Sequence, residues 1–432
     1  MGSSMSRPLF MTLVLVGSVA NFAVIGADVH AGETGPPSYT LDAVIDLALE
    51  RNPAIAGATS VMEQSHGQQV AAGAYPNPNI GGYSGRGLLQ DTGRAAIGND
   101  PGTIKSITEY NVTVGQPIEW PAKRAARRRV AEAGVAGAGA GLEEARLNLI
   151  ADVKLVFYQL LLAQRQSETA EQNLAMTKEV LRVVKVRVAA GEATPFEAMK
   201  ANVEVLKANQ ALTRSRSAVR VTRVGVDTVT AGALGSTFVV KGDFESFRQG
   251  MDVNTLTTRA FERHPTLRRQ WASVEQADHT VERERQARVP DVTVNAGYWR
   301  EIGREAIGAG LSIPMPFWYQ RQGEVATAMG TKHRAESEML RTRNEIARAI
   351  QQDFQDAQTA AEQIDLFEKE LLKQAQETLR IAQFSFQQGA SGLLDVVDAQ
   401  RVYRQTQLDY VQARFELSVA LARLERATGG KL

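Results

Sequence analysis

Gly191-Glu192-Ala193-Thr194-Pro195-Phe196-Glu197 reads as the tip of a hairpin between two very long helices. Gly191 supplies the left-handed residue that ends a helix; Thr194, Pro195 and Glu197 restart one as N-cap, first-turn proline and acid of a capping box. About two hundred residues later, Gly389-Ala390-Ser391-Gly392-Leu393-Leu394-Asp395 repeats the spacing of glycine and acid. The chain therefore has two tips. Outward from each, neither proline nor a turn cluster interrupts the helical pattern over about 122–190 and 320–388, so each run can reach roughly 100 Å at the helical rise. The return helices span about 195–230 and 393–428. Gly134, Gly137, Gly139 and Gly141 weaken the start of the first long helix by about 1 kcal/mol each relative to alanine. They fit either a close helix contact or a local break.

The far ends of the hairpins also match. Asn52-Pro53 returns as His264-Pro265, and Pro78 as Pro290, both 212 residues on. One interval held over that distance implies a duplication. The chain then divides into a first repeat at 32–232, a linker at 233–251 with a short apolar run at 238–240, and a second repeat at 252–432. After each proline the period changes from helical to two. Val292, Val294, Ala296 and Tyr298 alternate with Thr293, Asn295 and Gly297, and Ile307, Ala309 and Leu311 alternate with Gly308, Gly310 and Ser312. The predicted strand pairs are 78–90 with 105–117, and 290–302 with 306–316. Apolar residues on one face and small or polar ones on the other are the signature of outer-membrane barrel strands, although surface hairpins of a soluble protein share it. Trp120, Trp299, Trp318 and Tyr319 fall at or near strand ends, where an aromatic belt meets the bilayer interface. Arg127 and Arg128, in the basic run after Trp120, suit either lipid phosphates or a solvated helix start.

Four strands cannot close a barrel, and an open edge in lipid leaves backbone groups unpaired at several kcal/mol each. Three copies would supply twelve strands and twelve helices. The expected fold is a mixed α/β membrane protein: a trimeric, 12-stranded outer-membrane β-barrel continued by a long α-helical barrel, with two internal repeats per protomer.

Composition narrows the function. Lys plus Arg is 49 against 48 for Asp plus Glu, which argues against a nucleic-acid binder. There is no cysteine, so thiolate metal sites, disulfides and a lipid-modified N-terminal cysteine are excluded. Arg7, an apolar run, and small residues before Ala27 or Ala31 read as a signal peptide over 1–31, cleaved after one of those alanines, or as a short membrane anchor. No later stretch offers about twenty unbroken apolar residues. His30, His66, His264, His279 and His333 show no ligand spacing, so no metal site or cofactor is expected. No catalytic triad, phosphate loop or general acid and base pair is legible.

Together, Leu41-Asp42-Ala43, Ala48-Leu49, Asn52-Pro53, the echo Glu262-Arg263-His264-Pro265, Pro117 and Pro314 at the strand ends, and Gly389 onward through Asp395-Val396-Val397-Asp398-Ala399-Gln400 resemble the TolC family of outer-membrane efflux channels. Arg187-Val188-Ala189-Ala190-Gly191-Glu192 is similar to the branch serving heavy-metal pumps of the resistance-nodulation-division type. The resemblance implies a homotrimeric, non-enzymatic duct in the outer membrane, extending into the periplasm and contacting outer-membrane lipid. It implies a periplasmic adaptor and an inner-membrane pump as partners, docking at Gly191, Glu192, Gly389 and Ser391. It favours heavy-metal cations as cargo; multidrug efflux or type I secretion is the alternative, and a secreted coiled-coil scaffold or adhesin is the rival of another class. Asp395 and Asp398 lie three residues apart on one helix face. In a three-fold assembly they would form stacked carboxylate rings acting as a cation-attracting gate, although first-turn acids also simply complement the helix dipole. Ser391 stands where some family members carry a latching arginine.

Overall fold

The computed structural model describes residues 37–90, 104–247, 250–301 and 304–432; the expected signal peptide lies outside them. Two helical hairpins dominate. In the first repeat, α1 (Leu41–Arg51) and α2 (Pro53–Gly73) lead to strands β2 (Asn79–Gln90) and β3 (Ile104–Ile118), then α3 (Pro121–Ala189) and α4 (Pro195–Val229). In the second, α5 (Val253–Arg263) and α6 (Pro265–Gln286) lead to β5 (Val292–Glu301) and β6 (Arg304–Ser312), then α7 (Gln322–Leu366), α8 (Leu372–Gln387) and α9 (Leu393–Thr428). β1 (Ser38–Tyr39) precedes α1 and pairs in parallel with β4 (Val239–Val240), between the repeats.

The long helices α3 and α7 each have two short helices stacked alongside. Toward the sheet α3 packs on α2 and α6; toward the tips it packs on α4 and α9. The short helices meet end to end, and a side chain joins each pair. Asn52 caps α2 by accepting from the Ala54 N–H (2.9 Å) while its amide donates to the Val229 carbonyl at the end of α4 (2.8 Å). His264 does the same for α6 and α9: Nδ1 accepts from the Thr266 N–H and Nε2 meets the Arg426 carbonyl, both at 3.1 Å. Two different side chains thus solve one problem, satisfying the free N–H groups of one helix and the free carbonyls of the next.

The glycine run starting α3 does not break it. A methyl at Gly137 would sit 3.5 Å from the Ala272 methyl of α6, so the missing side chain sets a close helix approach. One stretch of α3 is by composition apolar enough to cross a membrane; its inward phase, including Val153, Phe157 and Leu160, instead forms core with α1 and α4. The second long helix departs from the uninterrupted pattern read in the sequence. A π-helical turn at Phe367–Leu371 separates α7 from α8. This wider turn lets two consecutive residues address α9: Phe367 packs edge-on to the Tyr410 ring at 6.1 Å, and Glu368 accepts from its hydroxyl at 2.8 Å.

The segment at 233–251, read as a linker, is packed rather than free. Phe238 is fully buried, and with Leu234, Val240 and Phe244 it joins the core formed by Val44, Ala48, Phe157 and Tyr158.

The strands form one four-stranded antiparallel sheet in the order β2-β3-β5-β6. β6 starts before the predicted 306 and ends at Ser312, because Pro314 and Pro316 have no N–H to extend the ladder. Pro117 is tolerated inside β3 because β2 pairing stops at Gly115, leaving Pro117 with one neighbour strand. One face carries Ile80, Val112, Val114, Val294, Ile307 and Leu311, all exposed, Ile307 at 86%. The other face is largely Gly, Thr and Asn. β2 and β6 are free edges within one protomer.

Candidate gate, tips and membrane-facing residues

Both tips are built alike. Gly191 and Gly389 have φ of +79° and +74°, where a side chain would be strained. The helix is closed in each case by an N–H reaching back five residues: Glu192 to the Arg187 carbonyl and Ala390 to the Ser385 carbonyl, both 2.8 Å. The restarts differ. Thr194 and Glu197 form a reciprocal capping box at 3.3 and 3.2 Å. At the second tip Gly392 has no side chain to give, and Asp395 alone accepts from the Gly392 N–H at 3.1 Å.

Asp395 and Asp398 share the exposed groove between α8 and α9 with Ser391 and Leu394. Asp398 is not bare, since it accepts from Arg401 at 2.5 Å on the same helix, an exposed pair that screening makes weak. The Ser391 hydroxyl is enclosed with no hydrogen-bond partner among the described residues. Glu192 is exposed, 3.8 Å from Arg187.

Arg187 supplies a connection that the sequence reading missed. Its guanidinium leaves the first hairpin to donate to the Phe386 carbonyl of the second at 3.1 Å and lies over the Phe386 ring at 4.9 Å. Beneath it, Val180 and Val184 of α3, Ala201 of α4, and Phe386, Leu393 and Val396 of the second hairpin form a shared core. The two tips therefore behave as one packed unit. The signal was present in the sequence as an arginine one turn before the tip, but its partner is about two hundred residues away.

A second missed cluster lies at mid-length. Lys154, almost fully buried, bonds Glu425 of α9 at 2.5 Å and Glu245 of the inter-repeat segment at 3.2 Å, and the Tyr158 hydroxyl donates to Glu245 at 2.6 Å. Burial pulls the Lys154 ammonium down, but Glu425 and Glu245 outweigh it and hold the group above its ordinary value. Burial, reinforced by Glu245, pushes the Tyr158 hydroxyl up, so it stays a donor. A lysine in core phase between Val153 and Phe157 was the available clue.

The membrane-facing candidates divide. Trp318 is 96% exposed, and Trp120 and Tyr319 are more than half exposed, all at the helix-proximal end of the sheet. Tyr319 donates to Glu324 at 2.6 Å. Trp299 differs from these: it shares the small-residue face with Thr293, Asn295 and Gly297, and its ring lies over Gly308. The reason is the strand period, which puts residue 299 opposite in phase to Val294 and Tyr298. Arg127 is engaged internally by Glu119 and by the Ala72 and Ala74 carbonyls, tying α2 to the sheet root. Arg128 is exposed, with Glu132 at 3.5 Å on the same helix. Among the described residues no group of three or more His, Asp or Glu could hold a metal ion.

Comparison with known proteins gives this geometry a family. The model of the outer membrane efflux protein family matches residues 44–232 and 256–430. Over 98% of the chain and the whole of the relative, the sequence is 25% identical to the cobalt-zinc-cadmium resistance protein CzcC of Cupriavidus metallidurans. It is 24% identical to the pyoverdine export outer membrane protein OpmQ of Pseudomonas aeruginosa over 90% of this chain and 85% of that one. Among solved structures, CusC superposes with a TM-score of 0.76 at 14% identity, covering 93% of this chain and 96% of that one. VceC of Vibrio cholerae does so at 0.71 and 18%, covering 90% and 96%. The fold is thus that of the TolC-like channels, and the chain belongs to the outer membrane efflux protein family: it is an efflux channel of the outer membrane, not an enzyme.

Proposed function

We propose that three copies of this chain close a 12-stranded barrel and a helical tube, forming the passive exit duct of a tripartite machine that exports heavy-metal cations. The trimer rests on the two free sheet edges and on unpartnered apolar side chains of α4, such as Phe196, Met199 and Leu206, which need cover from a neighbouring copy. The metal assignment is carried by one observation, the end-to-end similarity to a cobalt-zinc-cadmium resistance protein. A periplasmic adaptor and a pump of the resistance-nodulation-division type dock at the tips around Gly191, Glu192, Gly389 and Ser391, and Asp395 and Asp398 line the gate. Trp120, Trp318, Tyr319 and Arg128 meet the inner rim of the outer membrane. The segment at 1–31 is a signal peptide, and the two repeats at 32–232 and 252–432 each supply two strands and one hairpin.

A tolerance panel on a strain lacking the gene tests the reading. Selective sensitivity to zinc, cobalt or cadmium, reversed by complementation, is the expected result. Similarity to a pyoverdine exporter favours a second reading, export of siderophores or drugs. Loss of tolerance confined to drugs, dyes and detergents would establish that reading and retire the metal one. Gly389→Leu should abolish complementation while leaving the trimer intact; if the trimer is lost instead, the glycine is structural alone.

A further inference from the structure

Cross-strand rows on the small-residue face of the sheet are unequal in size. The innermost row that crosses all four strands is Asn79, Gly115, Asn295 and Gly310; the next outward is Gly81, Thr113, Gly297 and Gly308. The third is Tyr83, Asn111, Trp299 and Ala306. This one row holds two large aromatic side chains at the same height on a face whose two inner rows are glycine, asparagine and threonine; outward of it the same face carries Gly85, Glu109, Glu301 and Arg304. Each ring also has a seat. The Tyr83 ring lies along the wall over Gly85, and the Trp299 ring lies over Gly308 and against Gly297. Any larger residue at Gly85 or Gly308 would collide with the ring as it lies here. Tyr83 is 60% exposed.

From this juxtaposition we infer that Tyr83 and Trp299 form an aromatic collar inside the outer part of the duct, which sets the largest cargo able to pass. The inference rests on the trimeric barrel proposed above. Three copies place six rings in one layer, while the two layers inward of it stay wide because their side chains are Gly, Asn and Thr. Aromatic rings attract cations, so the collar is least resistant to small cations and most resistant to bulky cargo.

The absence of native cysteine makes access measurements clean. Asn295→Cys, two layers inward of the collar, is labelled from outside the cell with a small membrane-impermeant thiol reagent and with polyethylene-glycol maleimides of increasing mass. This is done in the otherwise native protein and in one carrying Tyr83→Thr and Trp299→Thr. The expected result is equal labelling by the small reagent and at least tenfold faster labelling by the bulky ones once the collar is removed. Equal rates for the bulky reagents in both backgrounds overturn the collar. As a check without the double substitution, caesium ions but not brominated lipids should quench the fluorescence that Trp299→Phe removes; quenching by the lipids overturns the inward placement. The mass of the protein in detergent separates the two proposals, because a monomer defeats the barrel reading whereas an intact trimer failing these tests defeats the collar alone.

Discussion

His264 occupies the place that Asn52 holds in the first repeat, and the exchange has a consequence for pH. Burial holds the His264 imidazole below its ordinary value, because the ring is enclosed between α6 and α9. A group with a depressed folded value contributes its full stability above the unfolded value, about 6.5, and loses it as pH falls below that, because the unfolded chain takes up the proton first. The cost grows by up to about 1.4 kcal/mol per pH unit until the folded group itself titrates. His264→Asn should keep the cap and flatten this loss. Thermal melts followed by circular dichroism between pH 7 and pH 5 check it, and an unchanged pH slope would assign the acid sensitivity elsewhere. At the second tip, Asp395 has two roles on one carboxylate, capping α9 through Gly392 and presenting charge toward the groove. Replacing Asp395 and Asp398 by asparagine should leave folding nearly intact, since asparagine also caps, while lowering cation preference in planar bilayers. Unchanged reversal potentials would remove the gate assignment.

Among the elements, Lys154 is the point where α3, α9 and the inter-repeat segment are fastened together. A buried ion pair is weak evidence for net stability, but breaking one side of it leaves charge uncompensated. Lys154→Met should cost about 3–5 kcal/mol, with Glu245 and Glu425 stranded. Replacing Glu245 and Glu425 by glutamine in the same protein should recover part of the loss. Urea unfolding monitored by circular dichroism measures both. The segment at 233–251 had looked like a spacer because its three glycines and polar residues hide one short run, yet Phe238 of that run is among the largest fully buried side chains. Sequence pattern ranks a segment by average polarity; burial is decided by the few residues that reach the core.

For the whole molecule, the protomer exposes what a soluble monomer hides. In the proposed barrel, the apolar sheet face meets lipid and the free edges pair with strands of neighbouring copies. Protein extracted in mild detergent should run at three times the protomer mass, and extraction without detergent should fail. A soluble monomer would overturn the barrel reading.

Sequence alone determined the two tips, the repeated 212-residue spacing and the alternation that makes a two-faced strand, because each is local periodicity or a repeated spacing along the chain; the family was legible only as a resemblance of motifs. Only the tertiary structure decided what crosses between distant segments: Arg187 reaching Phe386, Lys154 joining two glutamates, and the end-to-end joints at Asn52 and His264. The π-helical turn facing Tyr410 belongs with them, since nothing in its own sequence marks it. Trp299 lies on the boundary between the two. Its position near a strand end suggested lipid, but the phase of β5, fixed by its pairing with β3 and β6, turned it to the small-residue face. A one-residue change of phase reverses every side chain on a strand, so the side on which a residue falls is settled by register, a property of the sheet and not of the strand.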